Sequence, residues 1–354
     1  MRHPGFDLDS AAVTTAPGRA GLPPRPASPR GARTTGATST GASPARAPVS
    51  ASSAPRPNHR GNTVAVTAAA VAVAAQVTYP LLGGGALRAA TVIAVIAFTT
   101  AVTAHAAAWF GSRAALAVLT GAAGLGLAAE AVGVATGWPF GRYAYTDTLG
   151  PRVLGVPLVV PLAWTMMAYP ALVAARRLVP GVGWSGLRRA ATVALVGGVT
   201  LAAWDLFLDP QMVAAGHWVW ADPSPSLPGV PTVPLGNTAG WLLVGIVMTA
   251  LLDRLLDRRA AIPVAAELLP AALLAWTWLG SMLANLAFFG HPQVAALGGV
   301  TTALVVVPYL VGVGRAIRGE RSLRRTQEKT QEKTQQKTRQ TAQESTRRPT
   351  GVDR

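Results

Sequence analysis

The sequence predicts an all-α fold: a polytopic transmembrane helical bundle of about eight spans, with both termini cytoplasmic. Three observations predict it. Half of the 354 residues are apolar and only 13% are charged, against about a quarter charged in an ordinary soluble domain. The apolar residues gather into runs near the ~20 residues that cross a bilayer. The basic excess sits at the ends. Residues 1–60 carry 8 Arg against 2 acids, residues 315–354 carry 12 Lys and Arg against 5 acids, and residues 61–314 carry 11 against 8. A nearly neutral apolar body with basic ends points to a membrane and away from nucleic acid, despite the overall +16. The absence of Cys excludes a disulfide framework and thiolate metal sites.

Along the chain, residues 1–62 read as a disordered basic tail rich in Pro, Ala and Ser. They have no apolar period and cannot bury enough surface to offset the entropy of ordering. No apolar core follows the first basic residues, so the tail does not read as a signal peptide. Residues 63–315 read as the transmembrane helical domain. Its spans fall at about 63–82, 86–110, 114–136, 153–175, 187–208, 235–252, 267–289 and 293–315. Ala, Gly and Val dominate several of them, which lets helices approach closely. Residues 316–354 form a second basic, low-complexity tail with a four-residue repeat from Gln327 to Thr338. Such a tail suits a solvated helix or contact with anionic lipid headgroups.

The loops set the orientation. With the N-terminus inside, the inner loops hold Arg113, Arg176, Arg177, Arg188, Arg189, Arg254, Arg258 and Arg259. The outer loops hold only Arg88, Arg142 and Arg152. The positive-inside rule therefore favours cytoplasmic tails in a multi-pass protein of the cell membrane.

That topology gathers the unusual residues on the outer face. Glu130 lies near the outer end of the third span. Asp205 and Asp209 lie near the outer end of the fifth, four apart and so on one helical face. Asn237 and Trp241 open the sixth, and Asn285 lies near the end of the seventh. The loops between them carry Tyr143, Tyr145, Asp147, His217, Trp218, Trp220 and Asp222. Ionisable groups within spans are costly and usually functional, and a shared face is what one pocket requires. Each residue also has a plainer role. Glu130 can be a packing residue, and Asp209 can end its helix before Pro210. The aromatics can form an interfacial belt. Asp147 and Asp222 can be solvated loop charges. His217 reads as interfacial and His105 as packed within the second span.

Several activities find no support. The five His residues are scattered without ligand spacing, against a His-box di-iron oxygenase. Gly121-Ala-Ala-Gly-Leu-Gly126 departs from the dinucleotide fingerprint and lies inside an apolar helix, where it reads as packing. Asp205-Leu-Phe-Leu-Asp209 and Asp253-Arg-Leu-Leu-Asp257 resemble the paired Asp-rich segments of intramembrane prenyltransferases. The two pairs bracket the span 235–252, about 27 Å at 1.5 Å per residue, and so fall on opposite membrane faces. Asp253 and Asp257 alternate with Arg254, Arg258 and Arg259, as in a solvated interfacial segment. A prenyltransferase or elongase remains the second enzymatic reading. A non-catalytic membrane carrier or ligand-binding scaffold is the third.

The segment Pro139-Phe-Gly-Arg-Tyr-Ala-Tyr-Thr-Asp147 resembles the integral-membrane carotenoid biosynthesis family. So do Leu149-Gly-Pro151, Gly155-Val-Pro157, Pro161-Leu-Ala-Trp164 and Met166-Met167-Ala-Tyr169. Asp205-Leu-Phe-Leu-Asp-Pro210, Trp218-Val-Trp220, Gly236-Asn237 and Gly240-Trp241 complete the likeness, which covers roughly 120–290. One departure is Leu227-Pro-Gly-Val-Pro231, where the family has a Tyr-Gly-Val-Pro-like stretch. The resemblance implies a hydratase of bisanhydrobacterioruberin or γ-carotene type, adding water to the terminal C1=C2 bond of an acyclic (ψ) carotenoid end. It implies carotenoid, water and membrane lipids as partners, with room for other carotenoid biosynthesis enzymes.

Such chemistry needs a proton donor, a cation-tolerant pocket and a positioned water; it needs no metal, flavin or nicotinamide. A carboxyl group in an apolar wall can hold its proton, and a second can take one from water. Glu130, Asp205 and Asp209 supply the expected catalytic carboxyls, with Asp205 or Glu130 as donor, Asp209 orienting water, and the individual roles left open. Tyr143, Tyr145, Asp147, Trp164, Trp218, Trp220, Asn237 and Trp241 are the expected substrate-binding residues. Aromatic faces stabilise a passing cation by about 0.5–2 kcal/mol each.

Overall fold

A computed structural model describes residues 57–179, 181, 183, 185–256 and 262–347. The expectations for residues 1–56, for Asp257, Arg258 and Arg259, and for residues 348–354 lie outside the described residues.

Among the described residues, eight helices are long and apolar enough to cross a membrane. They are α1 His59–Thr78, α2 Gly84–Phe110, α3 Ser112–Thr136 and α4 Val159–Leu178. Then follow α5 Gly186–Ala214, α6 Leu235–Leu255, α7 Val264–Ala287 and α8 Pro292–Arg347. Side-chain caps start two of them: Asn58 accepts from the Arg60 amide and Ser185 from the Arg188 amide, both at 3.2 Å. Gly111, at φ 87°, turns α2 into α3. Gly137, at φ 80°, ends α3 in the left-handed cap that glycine accepts without strain.

Helix α4 forms the centre of the bundle. Trp164, Met167, Tyr169, Leu172 and Ala175 along it are all buried, and it packs against α2, α3, α5, α6, α7 and α8. The small residues act as expected at one crossing. A Cβ on Gly198 of α5 would lie 2.8 Å from the Ile246 amide nitrogen of α6, and one on Gly245 would lie 3.0 Å from the Gly198 Cα. That contact brings the Asp205 and Asn237 helices together.

Three boundaries differ from expectation. Helix α4 begins at Val159 because Arg152–Val153 (β2) and Val156–Pro157 (β3) pair as a small hairpin. Helix α5 does not stop at Asp209 but continues through Pro210 to Ala214. Proline removes its own N–H from the ladder and crowds the carbonyl four residues back, yet the next turn still closes, with Gln211 O accepting from Ala215 N at 3.0 Å. Helix α8 runs for 56 residues into the basic tail, where the side chains from Arg318 to Gln340 are exposed.

The loops on one end of the bundle form a shared cap. β1 (Tyr143–Tyr145) pairs antiparallel with β4 (Trp218–Trp220), in the register Tyr143 to Trp220 and Tyr145 to Trp218. β5 (Ser226–Leu227) and β6 (Val230–Pro234) make a further hairpin, whose Gly229 faces Gln293 at the start of α8. At the opposite end, Arg176 Nε donates to Asp253 Oδ1 at 2.9 Å, and Arg177 pairs with Glu267. Asp253 is buried, so it is not the solvated charge expected. It lies away from the Asp205–Asp209 pair, as the length of α6 requires.

Candidate active site

The capped end of the bundle encloses a cavity of about 340 Å³. Its walls come from α2 to α7 and from the β1 and β4 strands, with the end of α1 along one flank. Glu130, Asp209 and Asn237 line it together with Phe140, Tyr143, Tyr145, Trp164, Trp218, Trp220 and Trp241. The fold thus gathers residues spread over more than a hundred positions of sequence.

Glu130 sits in a cradle of three donors. Tyr145 OH donates to its Oε2 at 2.8 Å, and Tyr143 OH donates to the same oxygen. Trp164 Nε1 donates to Oε1 at 2.9 Å. The cradle follows from β1, whose alternation turns residues two apart to the same side. Glycine admits it: a Cβ on Gly133 would lie 2.8 Å from the Tyr143 hydroxyl, and one on Gly126 would lie 2.8 Å from the Trp164 ring. Burial, followed by the adjacent Glu130 carboxyl, pushes both phenols well above their usual range. Both therefore keep their protons and serve as donors.

The second group lies on α5 and α6. Asn237 Nδ2 donates to Asp205 Oδ2 at 3.0 Å and also to Asp209 Oδ2. The one Asn237 amide nitrogen thus draws an oxygen of each Asp carboxyl to itself. Asp209 opens on the cavity, whereas Asp205 does not line it and has 0% exposure. Asp205 therefore backs Asp209 instead of facing the space directly.

Aromatic rings connect the two carboxyl groups. Trp241 contacts Phe140 at 6.3 Å between centroids and meets Trp204 edge-on at 5.7 Å. Tyr145 meets Trp218 edge-on at 5.7 Å. The edge-on geometry is one that aromatic quadrupoles favour.

Other expected residues lie elsewhere. Asp147 is not brought to the cavity: its side chain is fully exposed and pairs with Arg152 at 2.8 Å. Asn285 is buried and donates to Ser281 O at 2.9 Å, outside the cavity wall. Asp222 accepts from the Ser224 amide on the surface. His217 is fully buried within the protein, with Nδ1 2.8 Å from Thr148 Oγ1. Burial, then the positive Arg88, lowers its pKa. His105 packs within α2 and its Nδ1 lies 2.9 Å from Tyr169 OH.

Sequence reasoning missed Trp204, Phe207, Leu208 and Gln211, all of which line the cavity. Their i, i+3, i+4, i+7 spacing on α5 was the available signal. It also missed the wall supplied by α1, where Gln76 interrupts the Ala/Val run 68–77.

The fold and the paired carboxyl groups define an intramembrane protein with an aromatic-lined, acid-bearing cavity. Residues 90–307, more than half of the chain, match the carotenoid biosynthesis protein family, and the chain belongs to it. It is also 40% identical over 131 residues to the bisanhydrobacterioruberin hydratase of Haloarcula japonica. That match covers 36% of this chain and 41% of the relative, so the chain spans less than half of that protein's length. No solved structure matches.

Proposed function

We propose that this protein is a carotenoid hydratase that adds water across the terminal C1=C2 bond of an acyclic end group. The observation that carries this reading is one apolar, aromatic-lined cavity faced by two separate carboxyl groups, Glu130 and Asp209. The likeness to a named hydratase supports the same chemistry.

The geometry favours particular roles. Two carboxyl groups drawn to one Asn237 amide nitrogen in an apolar wall do not both ionise, so the pair holds a proton. The Asp205–Asp209 pair is therefore the proton source, with Asp209 delivering to C2. Protonation there leaves a tertiary cation at C1. The faces of Trp164, Trp218 and Trp241 border the space in which it forms, and each is worth about 0.5–2 kcal/mol to a cation. Water adds to C1. Glu130, oriented by its three donors, takes the proton released by the water. Returning that proton to the Asp pair resets the site. The sum is one water added and a tertiary alcohol formed. This allocation puts Asp209, not Asp205 or Glu130, at the donating position, because Asp205 is shielded and Glu130 is held by three donors as an acceptor.

Expression in cells making lycopene, followed by mass analysis of the pigments, tests the reading. One or two added waters are expected. An added five-carbon unit would instead identify an isoprenoid transferase, and unchanged pigment from inserted protein would defeat the hydratase.

A further inference from the structure

The cavity does not end at the carboxyl groups. It continues between α1 and α7, where Gln76, Val77, Trp276, Ser281, Leu283 and Phe288 line it. Three of these also face outward from the bundle: Val77 is 51% exposed, Leu283 61% and Phe288 52%. A residue that both walls a cavity and faces outward on a transmembrane helix marks a sideways opening. The helices flanking it are unequally fastened. α1 packs along α2 but touches α7 only lightly. Side-chain contacts across and just beyond the seam include a hydrogen bond and a ring pair. Trp276 Nε1 donates to Gln76 Oε1 at 2.6 Å, and Tyr79 meets Phe289 edge-on at 6.1 Å.

We infer that the α1–α7 seam is a lipid-side portal and a subsite for the polyene chain, with the Gln76–Trp276 hydrogen bond as its latch. The inference rests on the substrate class proposed above. A long apolar substrate dissolved in the bilayer needs a route in from lipid, and β1, β4 and the β5–β6 hairpin lie over the capped end. The substrate has one through an apolar seam open to lipid. Entry there is end-first, carrying the terminal alkene to Asp209 and Glu130 while the polyene lies between Val77 and Leu283. A Gln–Trp pair suits a latch. Intramembrane hydrogen bonds contribute modestly, so one can hold a seam shut and still yield to a substrate.

The chain has no Cys, so single thiols report cleanly. The probe is a membrane-permeant maleimide applied to Val77→Cys, Leu283→Cys and a control Leu304→Cys, in membranes with and without lycopene. Leu304 is 69% exposed on α8 and lines no part of the cavity. Lycopene is expected to slow labelling at 77 and 283 at least about fivefold and to leave 304 unchanged. Equal labelling at 77 and 283 with and without lycopene overturns the portal. The readout is independent of turnover. Protection in a preparation that adds no water retains the portal and removes the hydratase reading; hydration without protection does the reverse. A second measurement addresses the latch. Trp276→Phe keeps the ring and removes the donor, and is expected to change KM for lycopene about threefold with kcat within twofold. A fall in kcat with KM unchanged would make Trp276 a structural residue and overturn the latch.

Discussion

Trp164 stacks on Trp241 with ring centroids 3.9 Å apart and planes 15° from parallel. The pair joins the two carboxyl groups. Trp164 donates to Glu130, and Trp241 lies one helical turn beyond Asn237, which holds Asp205 and Asp209. A shift in either ring therefore reaches both groups. Glycine makes room for the stack, since a Cβ on Gly126 would collide with Trp164.

The first prediction tests the membrane orientation. The 137–158 and 215–234 loops share one end of the bundle through the β1–β4 pairing. α8 starts near that end, beside Gly229, and carries the basic extension away from it. Charge bias puts that extension in the cytoplasm. Reporter fusions after Gly141 and after Ser224 should both read as non-cytoplasmic, and a fusion after Arg325 as cytoplasmic. A cytoplasmic signal at Gly141 or Ser224 would defeat the one-sided site.

The second concerns helix packing. A side chain at Gly198 meets the backbone of Ile246, which cannot swing aside as a flexible side chain can. Gly198→Val should destabilise the protein by about 1–3 kcal/mol, the usual cost of overpacking. Thermal unfolding in detergent would show it as a lower Tm. Gly124→Ala is the control, because a Cβ there meets nothing within 4 Å. Equal Tm values for the two variants would contradict the close crossing of α5 and α6.

These contacts show what sequence could supply. Hydropathy located all eight spans, because crossing a bilayer demands length and apolarity that few other elements share. The cost of placing a carboxyl group inside a span draws attention to Glu130 and Asp205, with Asp209 just beyond the 187–208 run; it equally touches Glu267, which pairs with Arg177 at the other end. The pairing of Tyr143-Ala-Tyr145 with Trp218-Val-Trp220 was not legible, since three-residue strands so far apart carry too little local pattern. The aromatic alternation in both segments becomes meaningful only once they are paired. Asp147 belongs to the same motif as Tyr143 and Tyr145, yet it turns outward to Arg152. Motif membership does not fix which way a loop side chain points.

The third prediction follows from His217. Its folded pKa lies below the usual histidine value because of burial and Arg88. The unfolded chain therefore binds a proton more readily than the folded one as pH falls through about 6.5. Stability linked to His217 is present above that pH and is lost on acidification. Unfolding in detergent should show Tm falling between pH 7 and pH 5, with a smaller fall in His217→Gln. Parallel Tm profiles for parent and variant would refute a role for this buried ring.

The last prediction concerns the carboxyl groups. Asp209 faces the cavity, Asp205 backs it, and Glu130 lies in a three-donor cradle. If Asp209 delivers the proton, Asp209→Asn removes the donating acid while keeping size and hydrogen bonding. Turnover should fall by about two orders of magnitude or more, the usual contribution of general acid catalysis. Glu130→Gln should fall comparably, because its amide cannot take a proton from water. Asp205→Asn removes the partner that shares the proton without removing the group that faces the alkene, so its loss should be smaller, about tenfold. Tyr145→Phe takes one donor from Glu130 and should cost less than Glu130→Gln. Membrane insertion of each variant is checked first, and pigments are then quantified over time in lycopene-containing membranes. The order carries the argument. A loss in Asp205→Asn that exceeds the loss in Asp209→Asn would move the proton donor behind the cavity wall and break the proposed allocation. Near-parental rates in all three carboxyl variants would remove the site altogether.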